Sequence, residues 1–332
     1  EYFAEAEKIR EELPTYCDEL YYENHRGTYT SQGFIKKGNR QSEFLLTRIE
    51  MAKIFGGGYS TEDLKAIWRK FLTNQFHDIL PGTSIHEAME DCRVAFNEIL
   101  SEANKEYDNS LQAVTRNVKI KENGIIVWNM LSHKNTSPVT LKGKHTVNAL
   151  SRVFEKDAES YTEFIATDIP PMGYKFFPFA EAKSAENVRI ENGVIENSVL
   201  RVEYDKNGLL TSIYDKENNR ETLTDKGNVI TIFIDKCVHE TAWNLEQNYE
   251  KKKWVLEKAE SVEIVESSPV RAVLKVVRKF NKSTITQNII LYANSRQLLF
   301  ETEVDWQERD KVMKATFPVN VLNTEATFEA AH

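Results

Sequence analysis

Cysteine is scarce in this chain of 332 residues, and the three that occur lie far apart. Cys17, Cys92 and Cys237 form no Cys-x-x-Cys pair, so neither a disulfide scaffold nor a cysteine-based zinc site is expected. A sparse and odd number of cysteines is typical of proteins in a reducing compartment. We therefore expect a cytoplasmic location.

Long apolar runs and an excess of positive charge are missing as well. No stretch has the length of a transmembrane helix, and the sequence shows no signal peptide. The net charge is -8 with both signs mixed along the chain, which provides no basic surface for nucleic acid or for an acidic membrane. We expect neither kind of partner.

The first third of the chain is patterned for helices. A long helix is predicted from about Phe34 to Phe55, with Ser31 as its N-cap and three consecutive glycines at 56–58 closing it. The residues expected to face inward from this helix are Phe44, Leu45, Ile49 and Ala52.

Two further helices flank residues 74–84, which read Asn-Gln-Phe-His-Asp-Ile-Leu-Pro-Gly-Thr-Ser. Pro81 and Gly82 break the chain, and Ser84 is predicted to cap the second helix. The pattern predicts a packed helical hairpin with His77 and Asp78 at its turn. The apolar stripes are Leu64, Ile67, Trp68, Phe71 and Leu72 on the first helix, and Ile85, Met89, Cys92, Phe96, Ile99 and Leu100 on the second.

Local spacing leaves the role of His77 open. One interpretation is a buried histidine that caps a helix end, where partial positive charge is stabilising. The other is a metal ligand or an acid–base group, because neutral imidazole is the commonest metal ligand. The polar run 23–31 also has two interpretations: a connector that leads to the next helix, which the sequence alone favours, or one wall of a polar binding site.

From about residue 118 the pattern changes to short alternating runs separated by turn residues, which is typical of a β-sandwich. Asn207-Gly208 between two such runs is the strongest hairpin signal. We expect an α+β multidomain protein: a three-helix-bundle-like helical domain at residues 1–115, followed by a large antiparallel β-sandwich domain at residues 116–332. Strands are predicted at 125–128, 139–141, 173–179, 199–204, 209–214, 229–234, 262–265, 271–280, 284–292 and 298–306.

Ordered motifs from both halves resemble one enzyme family. The run 74–84 is similar to the characteristic segment of glycoside hydrolase family 38, the class II α-mannosidases. The run 25–31, His-Arg-Gly-Thr-Tyr-Thr-Ser, with Lys-Gly-Asn-Arg at 37–40, resembles a segment of the family's bacterial branch. In the second half the similar runs are 200–204 with 208–215, and 304–306 with 314–319.

This resemblance implies a retaining glycosidase that cleaves terminal α-mannosyl residues of oligosaccharides and binds one Zn²⁺ per site. His77 matches a zinc ligand of the family, and Asp78 matches a residue that contacts sugar hydroxyls. His25 and Arg26 match a segment that lines the sugar site. The expected metal ligand is therefore His77, and the expected substrate-binding residues are Asp78, His25 and Arg26.

The chain also departs from the family pattern. None of its seven histidines is followed by x-Asp, the family's first zinc motif. The family's nucleophile and usual acid lie in an N-terminal barrel that would precede Glu1, so we assign no catalytic residue and expect a fragment that is inactive alone. Residues 237–243 are less acidic than the family's version and are expected to form a peripheral loop.

Two alternatives stay open at this stage. The chain could be a non-catalytic carbohydrate-binding or assembly module in which His77 and Asp78 cap a helix. An apolar stripe left on the helices could dock the missing barrel or a second copy of the chain in a homo-oligomer. We favour the barrel, because removing a domain leaves apolar surface behind.

Overall fold

A computed structural model describes residues 2–15, 23–58, 61–181, 188–246 and 248–325. Within these ranges four α-helices come first and are followed by seventeen strands, whose pairings are antiparallel. The predicted α+β order is confirmed. No helix in the same ranges is long and apolar enough to cross a membrane.

Three of the helices share one apolar core. Leu46 and Ile49 meet Leu64 and Ile99 there, and all four side chains are fully buried. The predicted stripes explain this packing, since residues three and four apart lie on one side of a helix. The helices are α1 (Tyr2–Lys8), α2 (Gly33–Gly56), α3 (Thr61–Thr73) and α4 (His86–Thr115).

Five details of the helix prediction are wrong. Leu72, expected in the apolar stripe, is 58 % exposed in the last turn of α3. Phe44 is 53 % exposed beneath the Arg40 guanidinium, and Ile85 is 70 % exposed because it precedes the first turn of α4. Neither predicted serine caps a helix: Ser84 donates its hydroxyl to the Asp78 carbonyl, and Ser31 donates to the Gly27 carbonyl. Both hydroxyls donate to turn carbonyls instead. These carbonyls are close in sequence and compete with the capping interaction for the hydroxyl.

The first β unit contains two strands that alternation missed, at Ser151–Lys156 and Glu159–Ile169. The second of them, β4, buries five consecutive residues, Thr162 to Ala166, because both of its faces are covered, so the period of two is lost. β1 pairs with β5, and the order of the second sheet is β2-β4-β3. The strands are β1 (Gly124–Asn129), β2 (Asn135–Lys142), β3 (Ser151–Lys156), β4 (Glu159–Ile169) and β5 (Gly173–Pro178).

The second β unit is larger and contains the predicted hairpin. Gly208 adopts φ +68° between β8 (Leu200–Tyr204) and β9 (Leu210–Asp215), a conformation that glycine reaches without strain. The strands are β6 (Arg189–Glu191), β7 (Val194–Glu196), β8 (Leu200–Tyr204), β9 (Leu210–Asp215), β10 (Arg220–Glu221), β11 (Val229–Ile234), β12 (Lys253–Val255), β13 (Ser261–Ser267), β14 (Arg271–Phe280), β15 (Ser283–Tyr292), β16 (Leu298–Asp305) and β17 (Lys311–Thr316).

Two sheets of this unit enclose a common core. The order of one is β10-β9-β8-β7-β6 and that of the other is β13-β14-β15-β16. Val202 and Leu210 from the first sheet cluster with Leu274 and Ile289 from the second. The third sheet is β12-β11-β17.

The proposed division between residues 115 and 116 stays a prediction. α4 ends at Thr115 and β1 begins at Gly124.

The close approach of α2 and α4 gives a test of the helical packing. A methyl group at Gly38 would lie 2.8 Å from Cγ of Phe96, which is buried. We expect Gly38→Ala to lower the free energy of unfolding by about 1–3 kcal/mol through overpacking. The control is Gly33→Ala, where no atom lies within 4 Å of the new methyl group. It should be neutral or stabilising by up to about 1 kcal/mol. Urea unfolding that gives equal stabilities for the two variants would contradict this packing.

Candidate functional site

The turn between α3 and α4 is closed by its own backbone. The amides of Ile79 and Leu80 donate to the Phe76 carbonyl at 2.9 and 3.1 Å. The Gly82 amide donates to the Ile79 carbonyl at 2.8 Å. Leu80 packs against the helical core, so the turn has an apolar anchor. The segment that carries His77 is therefore a compact turn of fixed geometry.

His77 projects from this turn into solvent. Its side chain is 74 % exposed, and its Nε2 lies 3.3 Å from Oδ2 of Asp78. The Phe76 ring lies beside it, with 4.3 Å between the ring centroids. The interpretation of His77 as a buried capping histidine is therefore wrong, because Leu80 rather than His77 anchors the turn.

Asp78 is fixed through its backbone. Its carbonyl accepts hydrogen bonds from the Ser84 hydroxyl at 2.8 Å and from the Thr83 amide at 3.2 Å. Its carboxylate is partly exposed and lies beside the imidazole of His77. The turn therefore presents a nitrogen donor and an oxygen donor side by side.

The second candidate segment, 23–31, contains a 3₁₀ turn from Glu23 to Tyr29. The Thr28 hydroxyl donates to the His25 carbonyl at 2.7 Å. The Gly27 amide donates to the Trp243 carbonyl at 2.8 Å. A side chain at Gly27 would lie 2.9 Å from the Asn244 carbonyl oxygen, so glycine permits this close contact.

The loop between β11 and β12 covers this segment, and the expectation that residues 237–243 are peripheral is wrong. The Trp243 ring lies 5.0 Å from the His25 ring, centroid to centroid. The Ser31 hydroxyl shares its one hydrogen between the Ala242 carbonyl at 2.8 Å and the Gly27 carbonyl at 3.0 Å. The β part of the chain therefore contributes one wall beside His25.

Cys237 in this loop has a structural contact. Its thiol lies 3.0 Å from the Asn244 carbonyl and donates to it. Burial raises the pKa of the thiol, and the nearby Asp235 carboxylate raises it further. A thiol that keeps its proton is a poor nucleophile and a poor metal ligand.

Lys36, in the first turn of α2, connects the two candidate segments. Its ammonium donates to the Pro81 carbonyl at 2.8 Å and to the Ser31 carbonyl. The backbones also touch: Gly82 has φ +80°, and a side chain there would lie 2.5 Å from the Ser31 carbonyl oxygen. Burial lowers the pKa of Lys36 to about 8.

The structure thus brings together the segment with His25 and Arg26 and the segment with His77 and Asp78. Sequence reasoning missed Lys36, since its Pro81 partner lies 45 residues away. Periodicity does not distinguish it from the exposed Lys37 beside it.

The residues present fit part of a zinc site. Among the residues that the structure describes, no three His, Cys, Asp or Glu side chains cluster closely enough to hold a metal ion. The imidazole of His77 and the carboxylate of Asp78 are donors that suit Zn²⁺. A catalytic zinc site has three protein ligands, so further ligands are needed here.

Two family models match the chain. The "Alpha mannosidase middle domain" matches residues 23–114, and the "Glycosyl hydrolases family 38 C-terminal domain" matches residues 195–331. Together they cover more than half of the chain. This chain belongs to glycoside hydrolase family 38. All four predicted site residues of the family 38 chain lie in the range of the middle-domain model.

Curated relatives extend well beyond this chain. It is 27 % identical to "Alpha-mannosidase 2C1" of Homo sapiens, over 98 % of this chain and 32 % of that protein. It is 28 % identical to "Alpha-mannosidase G" of Dictyostelium discoideum, over 99 % of this chain and 35 % of the relative. The chain spans about a third of the length of these relatives.

Solved structures share the fold. An α-mannosidase from Enterococcus faecalis V583 matches with a TM-score of 0.75 at 16 % identity. The match covers 97 % of this chain and 48 % of that chain. A second family 38 structure from Enterococcus faecalis gives a TM-score of 0.74, with 97 % and 49 % coverage. At this identity the likeness establishes the fold alone.

The half-buried ammonium of Lys36 makes stability depend on pH. The pKa is about 8 in the folded protein and near its ordinary value of 10.5 in the unfolded chain. Between these values the unfolded state binds more protons, so this group's contribution to the free energy of unfolding rises with pH. Lys36→Met removes that contribution. We expect the stability difference, variant minus wild type, to be larger at pH 7 than at pH 10.

Urea unfolding at the two pH values measures this difference. Lys37→Met is the matched control, because Lys37 is exposed on the same helix turn. The control should show no comparable change with pH. A difference that is the same at pH 7 and pH 10 for Lys36→Met would contradict the burial of the charge.

Proposed function

We propose that this chain is part of a retaining, zinc-dependent α-mannosidase that hydrolyses terminal α-mannosyl residues of oligosaccharides. The observation that carries the proposal is the exposed His77–Asp78 pair on an internally hydrogen-bonded turn. The family models, and relatives named as α-mannosidases, support the same assignment.

Each candidate residue has a defined role in this proposal. His77 donates an imidazole nitrogen as one ligand of Zn²⁺, which when bound supplies a Lewis acid at the sugar hydroxyls. Asp78 accepts hydrogen bonds from sugar hydroxyls, and His25 and Arg26 line the sugar site. Trp243, packed beside His25, holds that wall in place.

The catalytic carboxylates belong to another part of the protein. A retaining glycosidase needs two carboxyl groups about 5 Å apart, one as nucleophile and one as acid and then base. We assign neither to this chain and infer that an N-terminal barrel supplies them, together with the remaining zinc ligands. We expect the chain alone to bind zinc weakly and to hydrolyse no mannoside.

The surroundings of the turn support docking of such a barrel. Leu72, Phe76 and Ile85 are exposed apolar side chains near His77 in sequence. Relatives about three times as long as this chain leave ample length for the barrel.

Cys92 and Cys237 are free, buried thiols, which supports a reducing compartment such as the cytoplasm.

The test uses the full-length protein with His77→Ala. Loss of a ligand should remove bound zinc and lower kcat/KM for an aryl α-mannoside by at least about 100-fold, since even indirect ligand partners account for 10–100-fold. His133→Ala, an exposed histidine in the β part, is the control and should leave both unchanged. Zinc content by atomic absorption and initial rates give the two readouts.

Two outcomes would contradict the proposal. Full zinc content and activity in His77→Ala would remove the histidine from the site. A full-length protein without mannosidase activity that still binds mannosides would favour the non-catalytic carbohydrate-binding module. Sedimentation of the full-length protein would show whether the same apolar residues serve a homo-oligomer instead.

A further inference from the structure

We propose that Lys36 is the positioning residue of this site. By holding the Ser31 and Pro81 carbonyls, it fixes the sugar-lining segment (residues 23–31) against the metal-ligand turn (residues 74–84). The identity of the two segments rests on the proposed function. The contact itself is a feature of the fold, since Lys36 donates to both carbonyls. Below, this pair of hydrogen bonds is called the Lys36 bridge.

Each carbonyl belongs to a turn that is already closed. The Ser31 amide donates to the Gly27 carbonyl at 3.1 Å, just after His25 and Arg26. Pro81 precedes Gly82, whose amide donates to the Ile79 carbonyl at 2.8 Å, just after Asp78. Because each turn is internally fixed, holding one carbonyl in each turn orients the residues that it carries.

The donor is placed by a rigid element. Ile35, beside Lys36, is fully buried in the helical core, and Gly38 lies against the Phe96 ring. Further along the same helix, the Asn39 side chain accepts a hydrogen bond from Gln75, at the start of the metal-ligand turn. α2 therefore holds the turn at two points, and the Lys36 side chain also contacts the other segment.

The chemistry of Lys36 favours a positioning role over general stabilisation. An ammonium has three donors, so one group can serve two carbonyls at once. Burial opposes its charge and lowers its pKa to about 8. An apolar side chain of similar length would avoid that cost. The Lys36 charge lowers stability, yet it joins two segments of the site. Such a charge is expected where function requires that geometry.

Hydrogen exchange of the full-length protein at pH 7 tests the bridge by mass spectrometry, with Lys36→Met, Lys36→Arg and Lys37→Met. In Lys36→Met the amides of Ser31, Gly82 and Thr83 should exchange about tenfold faster, as expected for losing a hydrogen bond to a charged group. Amides in the centre of α4 should be unchanged. Lys36→Arg keeps charge and donors and should retain most of the protection. Lys37→Met should behave as wild type.

Unchanged exchange in either turn of Lys36→Met would overturn the proposal. Faster exchange in α4 as well would also overturn it, because that pattern indicates general destabilisation. If Lys36→Met does not fold, Lys36→Arg should still fold. Exchange rates in Lys36→Arg equal to those of the wild type would then support the bridge. The readout needs no catalysis: faster exchange in both turns of a protein that cleaves no mannoside would support the bridge and reject the proposed function.

Discussion

The candidate site depends on one contact between distant parts of the chain. The Lys36 ammonium donates to the carbonyls of Ser31 and Pro81, and at Gly82 the two backbones approach too closely for a side chain. This contact is possible because α2 is held against α4 at Gly38. Helix packing, rather than the local sequence of either turn, determines which residues meet.

The site also requires the β part of the chain. Trp243 and Asn244, in the loop that follows β11, contact Gly27 through their backbone atoms. A helical domain without this loop would leave the His25 segment uncovered on that side. The helical and β parts are therefore coupled at the site itself, which is consistent with the similar fold of both parts in family 38 structures.

The sequence predicts elements well wherever a single face is buried. The stripes of α2, α3 and α4 and the Asn207-Gly208 hairpin need no tertiary information, since period and turn chemistry are local. The prediction of strands and helix caps fails where contacts with another part of the chain change the local pattern. β4 loses its alternation because both faces are covered, and Ser31 and Ser84 bond to turn carbonyls instead of capping helices.

The site shows the same limit. Family resemblance selects His77, Asp78, His25 and Arg26 as candidates, while spacing alone favours a structural role for His77. Its exposure follows from the anchoring of the turn by Leu80, which no local pattern reveals. Lys36 is absent from the prediction, and Trp243 enters it only as part of a peripheral loop, because their partners are distant in sequence.

The most direct test is a crystal structure of the full-length protein with zinc and a mannose-like inhibitor. We expect an imidazole nitrogen of His77 about 2.1 Å from the metal. We also expect Asp78 within hydrogen-bonding distance of the inhibitor's hydroxyls, with the Lys36 bridge intact. A metal bound without His77, or an inhibitor bound away from both turns, would contradict this expectation.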